Sequence, residues 1–379
     1  MFQPGEDENE PEEDWLPPRE VTRELFLEWR AAGFADHPAQ DFTNPVWLWL
    51  IDKNISAYTA NAHFKGPDLI LSESPAGWCF NRFGRTATDL PDGRRIIIGG
   101  EHEDHYDPDF FIYNDVVVVE KDGSLRILGY PEEHFPPTDF HSATLIGEEI
   151  VLIGSLGYPD QRKIRDTQVY TFDPRTLTFR QIETSGEKPG WISKHEAELN
   201  GGSIIVRGGM IDHGPEEGGY LQNFDSWSLD PEDWKWTRLS RRKIVRWKFH
   251  REDGEGNELF KMRMAKIDDV LRSLPIPPEI AEIRSSFLEP PPHFDRELLE
   301  RLYDPPVPHE AVIKSPVDDR LHFVVEGIPV RFDEGSSREV LMTVEGELPG
   351  AVLQDYVELV RQRLSELEGC AYVAERSKA

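Results

Sequence analysis

The sequence predicts a mainly β protein built from a repeated four-stranded unit, with helices before the repeats and an α+β region after them. Three observations support this prediction. An apolar run ending in a glycine-containing turn occurs three times, about 55 residues apart. Apolar residues at helical spacing precede the repeats, and short strand patterns followed by one amphipathic helix come after them.

Two independent markers give the same repeat length. The first marker is an alanine, found at Ala87, Ala143 and Ala197, and the second is the glycine after the apolar run, found at Gly99, Gly154 and Gly208. Each copy continues into two further short strand patterns, and four strands with a period slightly above 50 are typical of one β-propeller blade. We expect the glycines to allow a sharp turn beside a neighbouring chain segment, where a Cβ atom would obstruct the packing.

Several segments of these units resemble kelch repeats. The segments that carry the resemblance are residues 81–88, 96–100, 114–118 and 140–144, and the whole resemblance covers less than half of the chain. It implies a β-propeller of the kind found in actin-binding proteins, ubiquitin-ligase adaptors and the central domain of galactose oxidase. The motif specifies a fold and leaves function open. One departure is that the kelch tryptophan on the last strand is present only in the third unit, as Trp234 or Trp236.

The predicted fold class is therefore a kelch-type β-propeller with N-terminal helices and a C-terminal α+β region. The predicted segments are a disordered acidic tail at 1–14, a helical segment at 15–75, three kelch-like blades at 76–240 and the α+β region at 241–379. Asn44 before Pro45 is a typical helix start, a further helix is predicted from Ser56 to Phe64, and Gly33 is a candidate C-cap for the first helix.

Three blades are fewer than the four to eight with which propellers typically close. Four strand patterns at 311–314, 321–326, 328–332 and 340–345 make a degenerate extra blade from residues 241–379 the favoured solution. The alternatives are a homodimer that pools two half-propellers, and an open fan that the N-terminal helices cap.

The formal charge of −29 disfavours duplex nucleic acid and anionic membranes as partners, because both would repel the protein. It fits a basic protein or a cation, although an acidic surface often serves only solubility. Two cysteines, no secretory-type start and no long apolar run predict a cytoplasmic protein without disulfides.

Residues 238–251 carry seven Lys or Arg residues and no acid. A phosphate-binding strip is one interpretation. We favour the other, in which the segment is a solvated linker or pairs with the protein's own acidic tail.

The densest polar cluster follows the first glycine pair, in a loop that a blade would project from one face of the propeller. With the equivalent loop of the third unit, it supplies the candidate partner-binding or metal-binding residues Glu101, His102, Asp104, His105, Asp107, Asp109, Asp212 and His213. Imidazole and carboxylate groups suit a divalent metal, and His102, His105 and Asp109 are the candidate ligands. The favoured interpretation is a solvated, partner-facing loop. The second unit has no imidazole in the equivalent loop, so the sequence predicts only partial convergence.

Arg85, His141 and His195 occupy one repeat position. We predict a structural role, in which the polar side chain forms a hydrogen bond to a neighbouring blade. No phosphate-binding glycine loop, nucleophile elbow or paired CxxC occurs, so no organic cofactor is predicted and no catalytic residue is assigned.

The favoured function is a non-enzymatic interaction module that presents acidic loops to a protein, plausibly a basic one. A metal-dependent lyase, isomerase or hydrolase with its site at 101–109 is the alternative from another class. An immunity-type inhibitor of a basic toxin is a third hypothesis, because charge complementarity would suffice for it.

Overall fold

The computed structural model describes residues 15–67, 75–102, 110–214, 219–257, 309–314, 321–333 and 338–377. The chain divides into two units, Met1–Arg241 and Arg242–Ala379. Among the described residues, no helix is both long enough and apolar enough to cross a membrane. The predicted acidic tail at 1–14 lies outside the described residues.

Within the described part of the N-terminal region, three short helices precede the repeats: α1 (Arg23–Trp29), α2 (Pro45–Lys53) and α3 (Ala57–Phe64). The predicted start of α2 is confirmed, since the Asn44 side chain accepts a hydrogen bond of 2.9 Å from the backbone N–H of Trp47. Ser56 caps α3 in the same way. The prediction of Gly33 as a C-cap is wrong, because α1 ends at Trp29 and its C-cap is Arg30.

Each repeat forms a sheet whose four main strands pair antiparallel in chain order. The first blade contains β2 (Thr86–Asp89), β3 (Arg95–Ile98), β6 (Val116–Val119) and β7 (Leu125–Gly129), with β1 (Gln40–Asp41) beside β7. The second contains β8 (Ser142–Ile146), β9 (Glu149–Ile153), β10 (Val169–Asp173) and β11 (Thr178–Gln181). The third contains β14 (Glu196–Asn200), β15 (Ser203–Arg207), β18 (Ser226–Asp230) and β19 (Lys235–Arg238), with β12 (Ser185–Gly186) parallel to β19. The predicted mainly β fold of four-stranded blades is confirmed.

Additional short strands extend the loops between the second and third strands of two blades. In the first blade they are β4 (Glu101–His102) and β5 (Phe111–Ile112), which pair as a hairpin. In the third blade β16 (Met210–Asp212) pairs with β17 (Tyr220–Gln222) and with β13 (Trp191–Ser193), which precedes the blade. These extensions support the loops that carry the candidate site.

The blades pack face to face, because their strands are apolar on both sides in the first two repeats. Ile96 and Ile98 of the first blade share one core with Ile150 and Leu152 of the second. The opposite side of the second blade, with Val151 and Ile153, packs against the third. The N-terminal helices cover the remaining face of the first blade, where Val117 and Ile127 meet Trp47 and Trp78. Strands buried on both sides explain the continuous apolar runs in the sequence.

The third blade is different, because only one of its faces is apolar. Trp227, Leu229 and Trp236 point into the core shared with the second blade. By alternation along the paired strands, the outer face carries Glu196, Glu198, Asn200, Ser203, Ile205, Arg207, Ser226, Ser228, Asp230, Lys235 and Thr237. Packing another blade there would remove several charges from water, which is costly. This face therefore disfavours a further blade on that side of the stack.

Histidines connect neighbouring blades, as predicted. His141 Nε2 shares a hydrogen bond of 2.8 Å with the Thr86 hydroxyl, and His195 Nε2 shares one of 2.9 Å with the Ser142 hydroxyl. Both imidazoles are buried. Burial lowers the pKa of His141 to about 3 and that of His195 to about 4, so both rings are neutral near pH 7. At the same repeat position Arg85 bonds instead to the backbone oxygen of Phe80.

The described residues of the second unit form six strands: β20 (Ile244–Arg251), β21 (His309–Lys314), β22 (Leu321–Val325), β23 (Ile328–Asp333), β24 (Glu339–Glu345) and β25 (Tyr372–Ser377). They form one antiparallel sheet in the spatial order β21, β22, β23, β24, β20, β25. Helix α4 (Gly350–Glu368) contributes Tyr356, Val357, Val360 and Leu364 to the core of this unit. The predicted C-terminal strands and helix are confirmed. Residues 258–308, between β20 and β21, lie outside the described residues.

The basic segment is not a solvated linker, so that prediction is wrong. Most of it forms β20, which lies between β24 and β25 and buries Phe249 in the sheet core. Its cations pair with acids of the same unit, for example Arg242 with Glu345 at 3.4 Å and Lys248 with Glu339 at 3.1 Å. These pairs weaken the phosphate-strip interpretation. That residues 241–379 supply an extra blade stays a prediction, as does the homodimer.

Candidate functional site

The loops between the second and third strands all leave the blades at one end, which we call the rim. The turn glycines of the first two repeats allow close contact there, as predicted, whereas an added Cβ on Gly208 of the third repeat would have nothing within 4 Å. Gly99 has φ of 61°, and a Cβ atom on it would lie 2.2 Å from the backbone oxygen of Thr138. A Cβ on Gly154 would lie equally close to the oxygen of Ile192. In both cases the contacted oxygen belongs to the segment leading into the next blade, so the absence of a side chain on the glycine lets neighbouring blades approach closely at the rim.

A chain of backbone hydrogen bonds connects the three repeats at the start of their first strands. The Phe140 N–H donates to the oxygen of Gly84 at 2.7 Å, and the Lys194 N–H donates to the oxygen of Phe140 at 2.9 Å. All three residues have positive φ, between 46° and 65°. The equivalent positions of the blades are thus fixed next to one another.

The first rim loop carries Glu101 and His102 on β4. His102 Nδ1 shares a hydrogen bond of 3.0 Å with the backbone oxygen of Asn81, and its ring lies 5.9 Å from that of Tyr58. These contacts fix the imidazole against the protein's own surface. The remaining predicted residues of this loop, Asp104, His105, Asp107 and Asp109, lie outside the described residues.

Asp139 links the first two repeats from a fully buried position. Its Oδ1 accepts hydrogen bonds from the Gly157 N–H at 2.7 Å and from the Ser155 hydroxyl at 3.1 Å. The Glu101 side chain lies close enough to influence the pKa of the Asp139 carboxyl, and the first rim loop meets the second where the Ile112 N–H donates a hydrogen bond of 2.9 Å to the Tyr158 hydroxyl. Burial raises the pKa of Asp139, since an ionised carboxylate is poorly solvated at this position.

Arg162 links the second repeat to the third. Its guanidinium lies 3.3 Å from Oδ2 of Asp212, and its Cζ lies 4.9 Å from the centre of the Tyr220 ring. The other oxygen of Asp212 accepts a hydrogen bond of 2.8 Å from the Gly214 N–H. The predicted residue Asp212 is therefore a buried anchor of its loop. His213 is half-buried, and its backbone N–H donates to the oxygen of Gly219.

The rim thus joins Glu101 and Asp212 through residues of the second repeat. Sequence reasoning missed Asp139, Arg162 and Tyr220, because it searched the rim loops for imidazoles. One sequence feature could have indicated this contact: Arg162 is a cation in the rim loop of the second repeat, which has neither a histidine nor a cluster of acids, while the neighbouring rim loops are acidic. Among the described residues, no group of three His, Cys, Asp or Glu side chains could hold a metal ion. The metal set of His102, His105 and Asp109 falls largely outside those residues and stays a prediction.

The repeat geometry can be compared with known families. A family profile described as the "KLHDC2/KLHL20/DRC7 Kelch-repeats domain" matches residues 79–251. These blades are kelch repeats. The match begins at the buried Cys79 just before the first blade and extends through β20. Trp236, one of the two candidates for the kelch tryptophan of the third repeat, is fully buried between the second and third blades.

Two curated relatives share kelch motifs with this chain. It is 32% identical over 75 residues to the "Rab9 effector protein with kelch motifs" of Bos taurus, which covers 20% of each chain. It is 29% identical over 87 residues to the protein of the same name from Xenopus laevis, which covers 23% of each. The chain spans about a fifth of the length of these relatives. A solved structure titled "Structure of YjhT" is 14% identical, with a TM-score of 0.32 over 43% of this chain and 52% of that one.

Proposed function

We propose that this kelch domain is a non-enzymatic interaction module whose rim presents acidic loops to a basic protein. The observation that carries the proposal is that described residues of the three rim loops contact one another, through the Ile112–Tyr158 hydrogen bond and the Arg162–Asp212 ion pair. A surface assembled from several rigidly held loops is suited to recognising a protein. The relatives named as Rab9 effectors support a protein as the class of partner, over the fifth of their length that matches.

Charge supports the basic character of the partner. The stretch 101–109 contains five acids and no Lys or Arg, within a chain of formal charge −29. A cluster of like charge on one loop attracts an oppositely charged surface and accelerates association at low ionic strength. In the second unit, by contrast, basic residues of 238–251 already pair with acids of the same unit.

The proposal is tested by removing charge at the rim without changing the scaffold. The variant Glu103→Gln, Asp104→Asn, Asp107→Asn and Asp109→Asn neutralises four rim acids. A matched control neutralises four acids of the N-terminal stretch, Glu6→Gln, Asp7→Asn, Glu8→Gln and Glu10→Gln. Both variants and the wild type serve as bait in extracts of the native host, with quantitative mass spectrometry of the captured proteins.

We expect the wild type and the control to retain the same basic proteins, and the rim variant to lose them. Retention should also fall as salt is raised, because screening weakens contacts between exposed charges. Equal capture by the two variants would contradict the proposal. A captured basic nuclease or toxin would identify the inhibitor version of the same function.

The metal-enzyme alternative has its own test. Elemental analysis of purified wild type is compared with His102→Ala and His105→Ala. We expect no stoichiometric metal in the wild type and no difference between the proteins. Stoichiometric metal that both substitutions remove would replace the pure binding function with a metal-dependent one.

A further inference from the structure

The last strands of the three blades are not covered alike. In the first blade β1 pairs with the free side of β7, and in the third β12 pairs with the free side of β19. In the second blade the last strand is β11, and no strand of the described residues pairs with its free side. The N–H and C=O groups along an open strand edge can take up a further strand.

The backbone of β11 shows which groups point out from this edge. The Ile182 N–H donates to the oxygen of Val169 at 2.9 Å, so Ile182 faces the neighbouring strand β10. Because successive residues of an antiparallel strand face opposite sides, Phe179 and Gln181 direct their N–H and C=O groups away from β10. The second blade therefore presents the donors and acceptors that an added strand needs.

The added strands of the other two blades show how this fold uses such an edge. In the first blade the Phe42 N–H donates to the oxygen of Ile127 at 2.8 Å. In the third the Ser185 N–H donates to the oxygen of Trp234 at 3.0 Å. In both, backbone hydrogen bonds join a short extended segment to the free side of the last strand.

Each added strand also carries an acid toward an arginine of the last strand. Asp41 of β1 pairs with Leu128, which places it diagonally across from Arg126 on the same face of the sheet. Glu187, directly after β12, lies 3.2 Å from Arg238. The two segments differ in direction, since β1 is antiparallel and β12 is parallel to its neighbour. The acid is the feature that they share.

Arg180 is the corresponding cation of the second blade. It has the position in β11 that Arg126 has in β7, since each directly follows the residue that pairs with the last apolar residue of the third strand. The Arg180 side chain is 58% exposed, and its ion-pair partner in the described part of the chain is Glu149 at 3.4 Å. An exposed pair of this kind holds its arginine weakly. Arg180 can therefore meet an acid on an added strand.

A cleft of about 240 Å³ opens on the other face of this edge. Gln181 pairs with Tyr170 across the sheet, so both side chains share one face and that of Arg180 lies on the opposite one. Gln181 and Tyr170 line the cleft together with Pro136, Trp191 and several polar side chains. In an added strand, side chains that alternate with the acids point toward this cleft, and its ring and proline surfaces suit apolar ones.

We propose that the second blade binds an extended segment of a partner protein as a fifth strand, antiparallel to β11, in which acidic residues alternate with apolar ones. The acids face Arg180, and the apolar side chains face the cleft. Antiparallel pairing follows from β1, whose acid meets the equivalent Arg126. Backbone bonds of this kind supply affinity, and the alternate side chains supply specificity. The inference goes beyond the proposed function, because it does not depend on the acidic rim.

The test uses labelled synthetic peptides of equal length with blocked ends. One alternates Asp and Val, and a second alternates Ser and Val. Two more are Asp–Val peptides, N-methylated either at every valine or at every aspartate. Binding to the full-length protein is measured by fluorescence anisotropy at near-physiological salt, which screens the repulsion between the peptide and the protein's net negative charge.

Three variants accompany the wild type. Arg180→Glu reverses the charge that is to meet the acids. Gln181→Pro removes an N–H that points out from the edge, and proline is tolerated on edge strands at such positions. The control is Arg207→Glu, which reverses another arginine in an exposed pair with a glutamate, Glu198 of the third blade.

We expect the wild type to bind the Asp–Val peptide about threefold more tightly than the Ser–Val peptide. Methylating the valines should weaken binding about tenfold, because residues on the face of Gln181 direct their N–H groups to β11 in an antiparallel pair. Methylating the aspartates should change it by less than about twofold, since their N–H groups point away.

The variants test the residues in the same assay. Arg180→Glu should weaken Asp–Val binding about fivefold and leave Ser–Val binding within about twofold. Gln181→Pro should weaken the binding of both peptides, and Arg207→Glu should change neither. No binding of Asp–Val by the wild type, equal losses from the two methylation patterns, or wild-type Asp–Val affinity in Arg180→Glu would each overturn the inference.

The two proposals fail in distinguishable ways. The four-acid rim variant should bind the Asp–Val peptide like the wild type, because none of its substitutions lies at β11. If that variant loses its captured proteins and Arg180→Glu binds every peptide normally, the acidic rim stands and the fifth strand does not. If Arg180→Glu weakens Asp–Val binding and neutralising the rim changes no captured protein, the fifth strand stands and the charge-based function does not.

Discussion

The two inter-blade histidines make the stability of the blade stack sensitive to mild acid. Both imidazoles are buried and neutral, with pKa values lowered by burial from 6.5 to about 3 for His141 and about 4 for His195. In the unfolded chain both regain an ordinary pKa and bind protons below about pH 6.5. The unfolded state therefore binds more protons, and the free energy of unfolding falls as pH decreases through this window.

The size of the effect follows from these pKa values. Between pH 6 and 5 the native rings stay almost entirely neutral, while the unfolded rings become mostly charged. Integrating the difference in bound protons gives a loss of about 1.2 kcal/mol for each histidine, or about 2.4 kcal/mol for both. The raised pKa of Asp139 acts in the opposite direction, but it is present in every protein compared and cancels in the difference.

The perturbation is the double variant His141→Gln and His195→Gln. Glutamine can still bond to the Thr86 and Ser142 hydroxyls, but it cannot be protonated. Urea unfolding is followed by tryptophan fluorescence, which reports mainly on the first unit because every tryptophan except Trp247 lies there. We expect the variant to lose about 2.4 kcal/mol less than the wild type between pH 6 and 5. The control is His37→Gln with His63→Gln, which changes two exposed histidines.

Identical pH dependence in the wild type and the double variant would refute this reasoning. It would mean that the imidazoles are accessible to protons without unfolding. An equally reduced pH dependence of the free energy of unfolding in the His37→Gln, His63→Gln control would also contradict it, since exposed histidines would then produce the same effect as buried ones.

Three further predictions follow from the packing around the rim. Arg82→Gln leaves the Asp115 carboxylate buried without its cation and should lower the free energy of unfolding by about 3–5 kcal/mol, whereas Arg95→Gln, in a solvent-exposed pair with Asp89, should leave the urea midpoint almost unchanged; equal midpoints for the two variants would contradict this. Gly99→Ala should lower the free energy of unfolding by about 2–4 kcal/mol, because the new Cβ clashes with the Thr138 backbone and alanine is strained at positive φ. Gly123→Ala, which has the same kind of φ but open space around the Cβ, should lower it by only about 1–2 kcal/mol in the same assay. Because the pKa of Asp139 is raised, the folded state loses stability as pH rises above the ordinary carboxyl value of 3.8. In urea titrations at a series of pH values, Asp139→Asn should reduce this loss, whereas Asp122→Asn, at an exposed carboxyl, should not. If the free energy of unfolding falls as steeply with pH in Asp139→Asn as in Asp122→Asn, the carboxyl of Asp139 is not destabilised by burial.

The blades were predictable because their signals are local. A β-hairpin is specified by its own apolar pattern and its own turn residues, and Gly99 and Gly154 mark the end of an apolar strand in the sequence itself. The one-sided third blade also left a local signal, since Ser226, Ser228 and Asp230 alternate with Trp227 and Leu229. That alternation was available in the sequence and indicates a strand with one polar face.

The basic segment was misassigned because its charge pattern hides its structural role. The seven cations of 238–251 resemble a solvated segment when only neighbours in sequence are considered. In the fold, partners such as Glu339 and Glu345 arrive from strand β24, far along the chain from the cations that they meet. Side chains paired across a sheet cannot be matched from one sequence without knowing which strands are neighbours.

The candidate site was predictable only in part for the same reason. Glu101 and Asp212 were identified because the repeat places them after equivalent strands. Asp139 and Arg162 gain their roles from contacts between repeats, at sequence separations such as the 50 residues between Arg162 and Asp212. Nothing in the neighbourhood of either residue indicates which loop it will meet.

The sequence by itself determined the blade, its period, its turn glycines and the acidic character of the rim, since each depends on apolar alternation, backbone freedom or charge within a few residues. Only the tertiary structure decided that Arg180 stays exposed, that Asp139 is buried beside Glu101, and that the basic segment forms an inner strand. These outcomes depend on which distant segments exclude water from one another. Burial, which sets both pKa values and the strength of ion pairs, is a property of the packed chain.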